Sequence, residues 1–265
     1  MLSGTTPGKG KYSGRRLSYF TGFLLLALLI SLGIKTYAKS SAEASALLNR
    51  KSLDTLTAGS ILDPARVKGG TDTCFYAHSI KASVKNRIMD KSYKEDGKVA
   101  LSTLRYVRVL YYGFDEETHI GELIVNKKIA KDILAVFKEL YNAKYPIEKM
   151  VLVDEYEADD EASMKDDNTS AFNYRTIAGS NNLSKHALGL AIDINPLYNP
   201  SVQKSNGKTV VSPAEGKKYA NRSLENPYYI KKDDICYQAF IKRGFTWGGS
   251  WSSLKDYQHF QKNIG

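Results

Sequence analysis

An 18-residue stretch without a single charge, Leu17 to Ile34, constrains this chain more than any other feature. At a rise of 1.5 Å per residue, a helix of that length reaches about 27 Å, enough to cross the hydrocarbon core of a bilayer. Lys9, Lys11, Arg15 and Arg16 precede it in a basic segment, 1–16. The positive-inside rule then puts the N-terminus in the cytoplasm and everything after residue 35 on the far side. The same pattern suits a secretory signal, with Ala38-Lys39-Ser40 and Ala44-Ser45-Ala46 as small-x-small cleavage sites. The length of the run favours an uncleaved anchor at 17–34. In either reading the working domain is extracytoplasmic, in a periplasm or at a cell surface, and membrane contact is made through the N-terminal helix alone.

The formal net charge of +10 points to nucleic acid only until it is located. Residues 1–40 hold six basic residues and no acid, so the rest of the chain carries 10 − 6 = +4. Nucleic acid is therefore not an expected partner, and nothing in the sequence fixes an oligomeric state. With 42% apolar and 25% charged residues, the exported part has the composition of a globular domain. Its two cysteines, Cys74 and Cys236, lie where an oxidising compartment permits a disulfide, although sequence alone does not bring their Cα atoms within bonding reach.

Residues 35–71 are small, polar and aperiodic and read as a flexible spacer, with one domain following over 72–265. No internal repeat is present. Val107, Val109 and Tyr111 alternate as in a strand, and His119 to Val125 reads as a second. Asn126 is an expected N-cap for a helix carrying Ile129, Ile133, Val136, Phe137 and Leu140. Met150 to Val153 reads as a further strand. Asp233 or Asp234 is expected to cap a helix with Ile235, Phe240 and Ile241 that ends at Gly244. Helices and strands mix without a βαβ rhythm, so the expected class is α+β, a small antiparallel sheet with flanking helices. Eight acids between 154 and 167 read as a solvated loop, since they lack the glycine and terminal Glu of a calcium loop.

Chemistry concentrates around two of the four histidines. In Ser184-Lys185-His186-Ala187-Leu188-Gly189-Leu190-Ala191-Ile192-Asp193-Ile194-Asn195-Pro196, a strand from Leu190 would turn Leu190, Ile192 and Ile194 to one face and Asp193 to the other. Gly189 allows a turn that swings His186 back toward Asp193. Imidazole and carboxylate are ordinary zinc ligands, and a third stands far along the chain, His259 in Lys255-Asp256-Tyr257-Gln258-His259-Phe260. Three protein ligands leave one tetrahedral position for water, as hydrolysis requires. Asp256 is the candidate base, provided that a turn brings it to the same side as His259. The competing reading is a hydrogen-bonded histidine in each case, the usual fate of an isolated His. A second rival, a serine hydrolase built on Ser184, His186 and Asp193, lacks the Gly-x-Ser-x-Gly elbow. His78 and His119 read as structural residues.

Ser-x-His-x-x-Gly-x-Ala-x-Asp at Ser184, His186, Gly189, Ala191 and Asp193, followed by Asp-x-x-His at Asp256 and His259, resembles the VanY-type zinc peptidases. These comprise D-alanyl-D-alanine carboxypeptidases and the L-alanyl-D-glutamate peptidases of endolysins. The resemblance spans roughly residues 119–262. It implies a hedgehog/DD-peptidase-like fold, zinc held by His186, Asp193 and His259, Asp256 as base, and peptidoglycan stem peptides as substrates. Asp256 stands where many carboxypeptidases carry Glu-Pro-Trp-His, which tilts the resemblance toward the endolysin-like branch. Arg175 is similar to the arginine that stabilises the oxyanion in relatives. Ser184 is expected at the substrate side, orienting the His186 loop, and Trp247 and Trp251 are expected to wall the cleft or to pack in the core. The alternative function is a non-catalytic wall-binding or scaffold protein that keeps the fold.

Overall fold

The computed structural model describes residues 1, 4, 47–96, 98–177, 180–205 and 207–264. The chain divides into two units, Met1–Leu47 and Leu48–Gly265, and the second is described here. The uncharged run 17–34 and both cleavage sites lie outside the described residues. Among the described residues, no helix is long and apolar enough to cross a membrane.

In chain order the unit runs α1 (Arg50–Thr55), β1 (Tyr76–Ser79), α2 (Ala82–Ile88), β2 (Leu104–Tyr112), β3 (Thr118–Asn126), α3 (Ala130–Asn142), α4 (Asp160–Lys165), β4 (Ala191–Asp193), β5 (Ser201–Ser205), β6 (Lys208–Ser212), α5 (Ile235–Ile241), β7 (Thr246–Trp247), β8 (Leu254–Asp256) and β9 (His259–Gln261). The class is α+β. In place of one small sheet, the strands form three antiparallel sheets of three, ordered β1-β2-β3, β4-β9-β7 and β6-β5-β8.

The β2–β3 hairpin is the framework, because β-branched and aromatic residues are dense in both strands. One face sends Val107, Val109, Tyr111, Leu123 and Val125 into the main core, where they meet Ile133, Val136, Phe137 and Leu140 of α3. Leu190, Ile192 and Ile194 enter the same core, as do Phe240 of α5 and Phe260 of β9. The second sheet is thereby seated against the first through shared apolar side chains. Asp234 caps α5 by accepting from the Tyr237 N–H, and Gly244 follows the helix at φ +79°.

Several expectations are corrected. Residues 48–71 are not a spacer: Leu53, Leu62 and Val67 are buried against Leu110 and Ile120, so the domain begins at Leu48. Asn126 does not cap α3, which starts at Ala130. Its Oδ1 accepts from the Lys128 N–H and its Nδ2 donates to the Leu188 carbonyl. Met150–Leu152 is extended but is no strand, because the Asn168 side-chain amide takes both the N–H and the C=O of Val151 and a 3-10 turn opens at Val153. The acidic run is not merely solvated. Asp159 caps α4, and Asp154 and Asp167 are buried, the first accepting from the Ser92 amide and hydroxyl. No disulfide joins Cys74 and Cys236. They are buried free thiols in different apolar clusters, and burial pushes the Cys74 thiol up to about 11.

Candidate metal centre

The alternation of Leu190, Ile192 and Ile194 into the core turns Asp193 to the opposite face of β4. The Asp193 N–H and C=O are engaged by Ser170 on one side, at 2.9 and 3.0 Å. Its register partner on the other side, His259 of β9, is therefore a non-hydrogen-bonded neighbour, flanked by the Ile194 N–H to Gln258 C=O bond. That pairing brings cross-strand side chains closest.

His186 reaches the same point from a tight loop. The Ser184 hydroxyl accepts from the Ala187 N–H at 3.0 Å, and the Leu190 N–H returns to the Lys185 carbonyl. Gly189 adopts φ +64°, and a Cβ there would stand 2.7 Å from the Asn126 nitrogen, so the loop lies directly on the end of β3. The Asn126 N–H donates to the Gly189 carbonyl, which fastens the loop to the hairpin. Ser184 is buried and faces its own loop. Its hydroxyl is engaged within the loop that carries His186.

One donor atom from each of His186, Asp193 and His259 lies within 4.8 Å of the others, and all three residues are buried. His186 Nε2 is 3.1 Å from His259 Nδ1 and 3.2 Å from Asp193 Oδ2, while His259 Nδ1 is 2.9 Å from Asp193 Oδ1. The other ring nitrogens are committed. His186 Nδ1 donates to the Ala171 carbonyl at 2.6 Å, and His259 Nε2 donates to Gln261 Oε1 at 3.1 Å. Both inward nitrogens thus present lone pairs beside a carboxylate. Such a group repels itself unless a proton or a cation sits among its atoms, and borderline nitrogen and carboxylate donors suit zinc. The residues fit a divalent metal.

The electrostatics agree. Burial would raise the Asp193 carboxyl, yet the two imidazoles hold it far below the usual carboxylate range. Burial would lower His259, yet the Asp193 and Asp256 carboxylates lift it to about 9. The same negative field that draws a proton to His259 favours a cation.

Asp256 reaches the site by a route the sequence did not show. It ends β8 opposite Ser201 of β5, and Tyr257-Gln258 then redirect the chain into β9. Asp256 and His259 therefore belong to different sheets, which removes the opposite-face objection. Gly248 lies beneath both: a Cβ there would stand 2.6 Å from the Asp256 carbonyl oxygen and 3.3 Å from the His259 Cβ. Asp256 Oδ1 is buried without a hydrogen-bond partner. Burial pushes its carboxyl up to about 6, with His259 opposing the shift and Asp193 adding to it.

Arg175 lies on the segment that also supplies the Ala171 carbonyl, and its charge opposes the upward shift of Asp256. Its Nη2 is paired with Asp160 at 2.8 Å, whereas its Nε has no partner. Trp251 stands beside the centre, with ring centroids 5.4 Å from His259. Trp247 is a core residue, 7% exposed, whose indole N–H donates to the Tyr257 carbonyl. Its remaining edge lines, with Trp251 and Gln261, a cavity of about 510 Å³. His78 and His119 are structural. His119 bridges the Gly59 carbonyl and Asp115, and His78 bonds the Ser79 carbonyl.

Residues 178–262, less than half of the chain, match a family model described as D-alanyl-D-alanine carboxypeptidase. No curated protein matches, and no solved structure matches.

Proposed function

We propose that this chain, whose residues 178–262 belong to the VanY-type D-alanyl-D-alanine carboxypeptidase family, is a zinc-dependent peptidase acting on peptidoglycan stem peptides outside the cytoplasm. The observation that carries the reading is the buried convergence of His186 Nε2, His259 Nδ1 and the Asp193 carboxylate, with Asp256 alongside. Zinc held by His186, Asp193 and His259 would supply Lewis acidity toward water and the scissile carbonyl.

The other parts are side-chain chemistry. Asp256, with its carboxyl near the neutral range, is suited to take a proton from the attacking water and return it to the leaving amine. Arg175 brings positive charge toward the oxygen on which negative charge develops. Trp251, half-buried beside His259, offers a flat apolar wall to the peptide. Asp256 in place of a Glu-Pro-Trp-His ending favours the endolysin-like branch, with an L-alanyl-D-glutamate bond as the first candidate and D-alanyl-D-alanine as the second. The uncharged run 17–34 would tether the domain to the membrane.

Digestion of purified stem peptides, with new termini identified by mass spectrometry, tests the reading. Cleavage at one bond is expected, seen as one new C-terminus and one new N-terminus, lost with a chelator and restored by zinc. Intact peptides after incubation with zinc-loaded protein would overturn it.

A further inference from the structure

The cavity of about 510 Å³ noted beside Trp251 opens at β7, the edge strand of the sheet that carries His259. His259 and Gln261 point to the same side of β9, so the cavity floor at Gln261 lies about 7 Å along the strand from His259. Thr246 of β7, the register partner of Gln261, extends that floor. Trp251 walls it, with its ring centroid 5.4 Å from that of His259. Ile241, Phe245 and the edge of Trp247 add apolar surface.

The lining is neutral throughout. No residue around the cavity carries an ionisable side chain, in a chain of which 25% is charged. A charged group placed there would find no opposite charge. Polar groups are nonetheless present, because Thr246, Ser250, Gln261 and Asn263 set hydroxyls and amides among the apolar walls. Gln261 gives its Oε1 to His259, which leaves its Nε2 to donate. A purely hydrocarbon ligand would cover these groups without replacing their hydrogen bonds to water, a costly exchange. A pyranose ring suits both halves of the lining. Its C–H face lies against an aromatic ring, and its hydroxyl edge and an acetamido group meet neutral donors and acceptors.

We infer that this cavity is a sugar subsite, which takes the N-acetylated hexosamine at the head of the stem peptide and stacks it on Trp251, an assignment that rests on the peptidase reading. A sugar held about 7 Å from His259 leaves room for about two extended residues before the scissile bond. The L-alanyl-D-glutamate bond, one residue from that sugar, is then within reach of the metal centre. The D-alanyl-D-alanine bond, at the far end of the stem, is not.

The test uses the zinc-loaded full chain and a stem peptide whose L-alanine carries N-acetylmuramic acid, an acetyl group or a benzoyl group. Wild-type kcat/KM is expected to be higher for the sugar-bearing peptide by about tenfold or more. Calorimetric titration of Asp256→Asn, which turns over slowly, should show the same preference in Kd. Trp251→Ala should bring the sugar-to-acetyl ratio close to one. Should Trp251→Ala fail to fold, Asn263→Ala, at the exposed rim, should lower the ratio several-fold. Equal handling of the sugar and acetyl peptides in both measurements would overturn the subsite and leave the peptidase reading intact. A benzoyl peptide as good as the sugar-bearing one would overturn it too, and assign the cavity to an apolar group. A preference in binding with no cleavage of any peptide would support the subsite and overturn the peptidase reading.

Discussion

Asp193 and His259 face each other across β4 and β9, with Asp193 Oδ1 2.9 Å from His259 Nδ1. His259 is held in that orientation from behind, because Gln261, two residues on and on the same face of β9, accepts from its Nε2. A strand pair thus fixes both the position and the tautomer of one nitrogen of the candidate metal centre.

Gln261→Leu removes that acceptor and leaves the three donors in place. Zinc affinity is expected to fall by about 10–100-fold, the usual effect of losing a partner behind a ligand. His259→Ala should abolish stoichiometric zinc. Competition with a fluorescent chelator measures both, and unchanged affinity in Gln261→Leu would remove its assigned role.

Asp256→Asn keeps the shape and removes the proton acceptor. Zinc content should stay at one per chain while turnover falls by about 10²–10⁴-fold. A variant that loses its zinc would make Asp256 a ligand instead. In the wild type, activity should decline as pH falls through the Asp256 pKa, because protonation silences the base. That limb should lie at about 6 or lower, since a bound cation favours the carboxylate. The pH profile of kcat/KM measures it.

Gly248→Ala should act at the chemistry without replacing a reactive group. The added methyl meets the Asp256 backbone at 2.6 Å and the His259 Cβ at 3.3 Å, so both must move. Misplacement of this size costs about 10²-fold in turnover. Circular dichroism should show the fold retained, and wild-type turnover would mean that the site absorbs the methyl.

Asp167 offers a test away from the metal centre. It is 2% exposed, accepts from the Leu197 N–H at 2.8 Å and leaves Oδ2 without a partner. Burial raises its carboxyl from 3.8 to about 8, with the nearby Glu148 adding to the shift. Between those values the folded state holds a proton that the unfolded state has released, so stability falls as pH rises through the window and levels off above it. Asp167→Asn, which stays neutral, should flatten that fall in melting temperature. An unchanged slope by differential scanning calorimetry would show that Asp167 does not titrate there.

Local pattern carried a large share of the site. The alternation through Leu190–Asn195 was enough to face Asp193 away from the core, the β2–β3 hairpin was legible from its β-branched residues, and Asp234 and Gly244 marked both ends of α5. Residue chemistry at 184–193 and 256–259 named the three donors before any fold was known, because those signals lie within one strand or one turn.

Tertiary structure decided the rest. Which carbonyl would meet His186 Nδ1, that Gly248 would lie under Asp256, and that Tyr257-Gln258 would pass the chain from one sheet to another all depend on contacts between distant segments. The polar stretch 48–71 looked like a tether because few of its residues are apolar. Three of them, Leu53, Leu62 and Val67, are buried by the outer face of the first sheet, and a sequence window does not contain the surface that buries them. Met150–Val153 failed as a strand for the same reason, since Val151 is met by the side chain of Asn168 rather than by a neighbouring backbone. Periodicity fixes which way a side chain points along its own element, whereas the partner it meets is set by how the elements pack.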